Sequence, residues 1–122
     1  SEKPFFQKDL STDINYLTEI VREKVLENIH DEIPYNLKFT LDKVQTNKDK
    51  SVTVHITIYI KKLSYKPIII GKKGENIKKI SISARKDLEE NFNKKFHLFL
   101  YLKVIKNSSK IINRGHNNDY LG

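Results

Sequence analysis

The sequence predicts an α+β domain with helices gathered on one face of a small sheet. Three observations carry that expectation. Apolar residues recur at spacings of three and four in two stretches, the mark of helices with one buried stripe. In three other stretches they alternate at every second residue, as half-buried strands do. The stretches run helix, strand, strand, short element, helix, strand, and runs of strands flanked by helices belong to the α+β class. The chain of 122 residues has room for one domain with a modest core. Residues 1–11 show no periodicity and are expected to be a linker remnant. The domain is expected over 12–105, and an Asn/Ser-rich tail over 106–122.

Each element has its own signature. Ser11-Thr12-Asp13 offers a helix N-cap. Behind it Ile14, Leu17, Ile20, Val21, Val25 and Ile29 form one apolar stripe, which Pro34 ends, because the residue before a proline avoids the helical region. From Tyr35 the period becomes two: Tyr35, Leu37, Phe39 and Leu41 alternate with polar partners, and residues 45–50 read as a polar turn. Val52, Val54, Ile56, Ile58 and Ile60 then mark the second arm of a hairpin. The stretch 64–70 is ambiguous on its own. Its three isoleucines favour a strand, while Ser64 as a cap with Pro67 in the first turn fits a short helix. Ile77, Ile80, Ala84, Leu88 and Phe92 share one face of a later helix. Leu98, Leu100, Leu102 and Val104 share one face of a last strand, whose other face carries His97, Phe99 and Tyr101.

The chain is organised around Ile68-Ile69-Ile70-Gly71-Lys72-Lys73-Gly74 and the helix that follows. Glycine at 71 and 74 lets the backbone turn sharply and be approached closely. The start of the next helix is electropositive, and Lys72 and Lys73 add two full charges there. This is the chemistry of a clamp for a phosphodiester backbone. Charge points the same way. Residues 61–86 hold nine basic side chains against one acid, Glu75, and so carry the whole net charge of +8; the other 96 residues balance to zero. Charge so concentrated implies a polyanionic partner.

Several functions are disfavoured. There is no cysteine, so neither a disulfide frame nor a thiolate metal site. His30, His55, His97 and His116 are too scattered for a metal or catalytic cluster, and the carboxylates form no pair suited to acid–base work. No metal or cofactor is expected in this chain. No apolar run is long enough to span a membrane, and the N-terminus lacks the shape of a signal peptide. Asn107-Ser108-Ser109 matches the glycosylation acceptor pattern by chance.

An Ile-Gly-x-x-Gly loop between two helices, inside a strand–helix–helix–strand unit preceded by a helix and a strand, resembles the type II KH domain. More specifically, the chain resembles the C-terminal KH region of the Era family of ribosome-associated GTPases. The resemblance rests on 19–25, Glu32-Ile33-Pro34-Tyr35, 70–74, Ile77-Lys78-Lys79-Ile80, 84–89 and 97–104, and covers about residues 12–105. It implies a three-stranded mixed sheet, two strands parallel, with helices packed on one face. It implies a short helix over 64–70, although this chain has Pro67 where the family usually has another residue. After Lys106 only Tyr120-Leu121-Gly122 echoes the family's C-terminal helix.

By this resemblance the expected ligand is single-stranded RNA near the 3′ end of small-subunit ribosomal RNA, bound as a monomer during maturation of the small ribosomal subunit, in the bacterial cytoplasm or in an organelle. GTP and magnesium would belong to an N-terminal GTPase domain outside this sequence. The chain itself has no phosphate-loop motif, and Asn47-Lys48-Asp49 lacks the spacing of the guanine-specificity motif. It is therefore expected not to be an enzyme. The candidate RNA-binding residues are Ile70, Gly71, Lys72, Lys73, Gly74, Asn76, Ile77, Lys78, Lys79, Ile80 and Arg85. Ile70, Ile77 and Ile80 are equally read as core beneath the loop. Lys78 and Lys79, about 100° apart on a helix, do not both face one strand. His55, Tyr59, His97, Phe99 and Tyr101 form a patch on the open sheet face, read as covered by the tail or by the GTPase domain rather than as a stacking surface. The alternatives are another type II KH protein, ribosomal or transcriptional, and a KH fold used as a protein–protein platform.

Overall fold

The computed structural model describes residues 14–29 and 37–105. The expected N-cap at 11–13, the stop at Pro34, Tyr35 and Asn36 of the first strand, His30, His116 and the tail all lie outside the described residues. The elements are α1 (Ile14–Asn28), β1 (Lys38–Thr46), β2 (Val52–Ile60), α2 (Lys66–Ile70), α3 (Glu75–Phe92) and β3 (Phe96–Val104), with single 3₁₀ turns at Leu63–Tyr65 and Lys72–Gly74. The α+β class and the mixed three-stranded sheet are as expected. The strand order is β1-β2-β3, β1 antiparallel to β2 and β3 parallel to it.

β2 takes the centre because its sequence can be buried from one end to the other. Val52, Val54, Ile56, Ile58 and Ile60 are all at 0% exposure. Each such side chain contributes roughly 1.5–3 kcal/mol on burial, enough to place this strand between its two neighbours. The cover over this inner face comes from Leu17, Ile20, Val21 and Val25 of α1 and from Ile80, Ala84, Leu88 and Phe92 of α3. At the far end of α3, Tyr16 meets Phe92 edge-on at 6.0 Å and Phe92 meets Phe96 at 5.6 Å.

α1 and α3 are also joined by charge. The Lys24 ammonium, buried in the interface, lies 2.9 Å from a carboxylate oxygen of Asp87. That hydrogen bond raises the Lys24 pKa above the ordinary lysine value, against the opposing effect of burial. α3 ends on Asn93 in the left-handed conformation, its N–H donating to the Glu89 carbonyl at 2.8 Å. The Glu89 carboxylate accepts from the Phe96 N–H at 3.0 Å and so fixes the entry into β3.

One boundary and one register differ from the sequence reading. β1 runs on to Thr46, so Gln45 and Thr46 belong to the strand and not to the turn. It also carries a bulge between Leu41 and Lys43, with Asp42 as the extra residue. The bulge slips the alternation by one, so that Phe39, Leu41 and Val44 all reach the core side. On the opposite face the Asp42 carboxylate accepts hydrogen bonds from the hydroxyls of Thr40 and Thr57. The hairpin turn is closed by Asn47 and by Asp49. The Asp49 carboxylate accepts from the Ser51 hydroxyl and the Ser51 amide, which lowers its pKa below the usual carboxylate range.

Candidate nucleic-acid interface

The glycine loop sits where α2 gives way to α3. The isoleucine run before it is helical. Pro67 occupies the first turn, where its missing N–H costs nothing. Ile69 is fully buried, and the Gly71 N–H donates to the Pro67 carbonyl at 2.8 Å. Strand propensity is overridden here because one turn of helix buries Ile69 while letting the chain reverse.

Gly71 breaks the helix with φ +80° and ψ 169°, a conformation open only to glycine. A Cβ there would lie 2.6 Å from the Asn76 Cβ and 2.8 Å from the Asn76 nitrogen. Gly71 is thus a contact point, packed against the first turn of α3. Gly74 is different: it has φ +76° but faces open space. Lys73, between them, is itself left-handed at φ +53°. The Gly74 N–H closes the turn onto the Gly71 carbonyl at 3.1 Å. Asn76 staples the loop from below, its side-chain amide donating to the Ile68 carbonyl at 3.2 Å.

The result is a tight turn with both lysine side chains, Lys72 and Lys73, exposed and the electropositive end of α3 directly behind. Ile70 and Ile77 are half-buried beside it and offer apolar surface next to the lysines. Ile80 does not: at 0% exposure it belongs to the core, because it lies one turn further along the stripe that faces β2. Its candidacy as a contact residue is corrected accordingly. Lys78 and Lys79 are both exposed on α3, along with Lys86. Arg85 is half-buried and lies 3.4 Å from the Glu89 carboxylate, so part of its charge is already spoken for.

The structure therefore brings together Ile70, Gly71, Lys72, Lys73, Gly74 and Ile77 at one site, and sets Arg85 apart along the helix. Asn76, carried in the candidate set as a contact, has its amide turned to the Ile68 carbonyl and acts on the loop's shape. The short helix expected over 64–70 is divided: residues Leu63–Tyr65 form a 3₁₀ turn, α2 starts at Lys66, and Tyr65 rather than Ser64 stands at its N-cap, without a side-chain cap. There Lys62 lies 5.9 Å from the centre of the Tyr65 ring and Leu63 is 65% exposed. The only signal for that turn was its place within the basic stretch. Among the described residues no group of histidine and carboxylate side chains is arranged to hold a metal ion, and no helix is long and apolar enough to cross a membrane.

Comparison with known proteins agrees with this geometry. The family profile described as KH domain matches residues 32–109. GTPase Era of Ehrlichia canis is 45% identical over 89 residues, 73% of this chain and 30% of that protein. GTPase Era of Caldicellulosiruptor saccharolyticus is 38% identical over 107 residues, 84% of this chain and 36% of that protein. Among solved structures, Aquifex aeolicus Era bound to GDP and tetrafluoroaluminate superposes with a TM-score of 0.71 at 30% identity, covering 75% of this chain and 31% of that one. Era in complex with MgGDPNP and nucleotides 1506–1542 of 16S ribosomal RNA gives a TM-score of 0.70 at 30% identity, with the same coverage. The chain spans about a third of the length of the curated relatives it matches. With a profile matched over most of its length, a fold that superposes on Era and 45% identity to an Era relative over 73% of the chain, the chain belongs to the KH-domain family and is a KH domain of the Era type.

Proposed function

We propose that the chain is a single-stranded RNA-binding module that holds the backbone of about four nucleotides at Gly71–Gly74. The observation that carries this is the loop: a backbone reversal keyed to Gly71, with two exposed lysines and a helix N-terminus at one point. Lys72 and Lys73 neutralise phosphates, Ile70 and Ile77 give bases an apolar surface, and one of Lys78 and Lys79 extends the contact along α3. Arg85 joins only by sharing its guanidinium between Glu89 and the strand. The ligand is the 3′ region of small-subunit ribosomal RNA, a reading supported by the likeness to Era solved with 16S ribosomal RNA.

In this reading residues 12–105 are the binding domain, monomeric, with 1–11 as its connection and 106–122 as a tail. The parent is an Era-type GTPase of a bacterium or an organelle, acting in small-subunit maturation. GTP and magnesium bind in a separate part of that protein, and the present domain contributes RNA binding rather than hydrolysis.

The test is the double variant Lys72→Asp with Lys73→Asp. Both side chains are exposed, and aspartate tolerates the left-handed backbone at 73, so stability should stay within about 0.5 kcal/mol. Fluorescence anisotropy with a single-stranded RNA of the 16S 3′ end should show affinity falling by at least about tenfold, since two charges beside phosphates are reversed. Unchanged melting with affinity held within about twofold would place the site elsewhere.

A further inference from the structure

The open face of the sheet, opposite the helices, carries a feature the loop does not use. The strand register lays out four rows across it: Gln45–Thr53–His97, Lys43–His55–Phe99, Thr40–Thr57–Tyr101 and Lys38–Tyr59–Lys103. His55 is the middle ring of a file of three. It stacks on Phe99 with centroids 4.8 Å apart and planes at 30°, and on Tyr101 at 5.6 Å and 17°. Its Nδ1 lies 2.8 Å from the Tyr101 hydroxyl. The two outer rings are the ones left in solvent, Phe99 at 47% and Tyr101 at 42% exposure. Stacking and the hydrogen bond fix the tilt of all three rings, so a planar ligand meets a surface already ordered and little side-chain entropy is lost on contact.

The charge around the rings selects the ligand. Lys38 and Lys43 are exposed in the flanking rows. Asp42 keeps its negative charge, its oxygens accepting only from the Thr40 and Thr57 hydroxyls, and the Asp49 carboxylate lies near His97 at the hairpin end of the face. Lys38, Lys43 and Lys103 outnumber the two. The face is therefore aromatic and net basic, with Lys38 and Lys103 at the end away from Asp49. It suits an apolar protein partner poorly: threonine, histidine and lysine surround two half-exposed rings, well short of the several hundred Å² of contiguous apolar surface that such a partner covers.

We propose that this face is a second nucleobase-binding site, at which unpaired bases of a single-stranded nucleic acid stack on Phe99 and Tyr101 while Lys38 and Lys43 meet the flanking phosphates. It is separate from the glycine loop, which joins two helices whose Ile69 and Ile80 pack into the core with the inward-facing residues of β2. Aromatic platforms of this kind take any base, since every base presents a π-face. The site adds length of strand bound rather than sequence preference.

The experiment is NMR of the full chain with an octanucleotide of adenosine at low salt, beside an abasic strand of the same length. The ring protons of Phe99 and Tyr101 should move upfield with the adenosine strand and not with the abasic one. The variant Phe99→Leu with Tyr101→Leu keeps apolar bulk on β3, and its fold is checked by unchanged amide signals away from the face. Compared in the Lys72→Asp with Lys73→Asp background, where the loop does not hold the strand, it should bind the adenosine strand at least about tenfold more weakly, as expected for the loss of two stacking contacts. The ring shifts should persist in Lys72→Asp with Lys73→Asp, which separates this site from the loop. Rings that do not move would overturn the proposal and leave the face to a protein partner. Equal shifts with the abasic strand would reduce it to a charge effect and overturn it as well.

Discussion

Gly71 and Gly74 occupy matching places in the loop but differ in what a methyl group would meet. At Gly74 an added Cβ has open space and only the left-handed backbone opposes it, which costs about 1–2 kcal/mol. At Gly71 the backbone is in a glycine-only region and the Cβ would press on the Asn76 backbone at 2.8 Å, so either the loop or α3 must shift. Gly74→Ala should therefore lose about 1–2 kcal/mol of stability and keep the loop's shape. Gly71→Ala should lose more, roughly 2–4 kcal/mol, strain and overpacking together. Urea unfolding of the two variants checks the order; equal losses would show that the contact with Asn76 yields freely. The need for glycine at both positions was legible in the sequence, because a sharp reversal before a helix demands it. Which of the two is packed was not, since that depends on where Asn76 lies. Nor was the left-handed Lys73, because lysine has no preference that announces such a conformation.

Elements were legible where one period ran unbroken and obscure where tertiary contacts reset it. β2 and α3 stand out because one face of each is apolar throughout and, apart from the half-buried Ile77 at the start of α3, that face is buried. β1 was cut short because the bulge at Asp42 makes Leu41 and Val44 three apart, a spacing that reads as the end of a strand. The run Ile68-Ile69-Ile70 is helical against its propensity because Gly71 and Pro67 frame a single turn; the family resemblance settled it where composition had not. Lys24 was invisible as a core residue, being a charged side chain in the α1–α3 interface. Its partner makes a prediction possible. Asp87→Asn removes the charge that holds the Lys24 ammonium, and should cost about 1–2 kcal/mol at neutral pH. That range takes the worth of a hydrogen bond to a charged group and discounts it for the partial exposure of Asp87. The sign with pH follows from the raised Lys24 pKa. The contribution is complete below the unfolded lysine value of about 10.4 and is lost as pH rises through the folded value. The gap between wild type and variant in urea unfolding should hold from pH 6 to 9 and narrow as pH rises beyond the ordinary lysine value of about 10.4. A gap that grows with alkali would mean that the pair is not what Asp87 supplies.

At the scale of the molecule, the excess positive charge lies in one run, 61–86, from the end of β2 through α2 and the loop into α3. The rest of the chain balances, and the exposed file of rings, Phe99–His55–Tyr101, lies across the sheet. A duplex-binding protein must spread its contacts over about 16 base pairs; a single basic pole around one glycine turn matches a short unpaired strand. This fixes how binding should respond to salt. With about four phosphates neutralised at the loop, log K should fall against log salt with a slope near roughly −3, since each phosphate of a single strand contributes about −0.7. Sequence preference comes from base edges and from apolar packing beside Ile70 and Ile77, neither of which is screened, so it should persist as salt rises. Anisotropy with a 16S 3′-end strand, a scrambled strand and a hairpin of equal length, over a range of salt, checks all of these at once. The 3′-end strand should bind more tightly than the scrambled one at every salt, and the hairpin more weakly than either. A hairpin held as tightly as the single strand would mean that the basic pole reads charge density alone. A slope much steeper than −3 would mean that the strand continues past the loop onto other lysines, with the exposed Lys78, Lys79 and Lys86 of α3 the first to substitute.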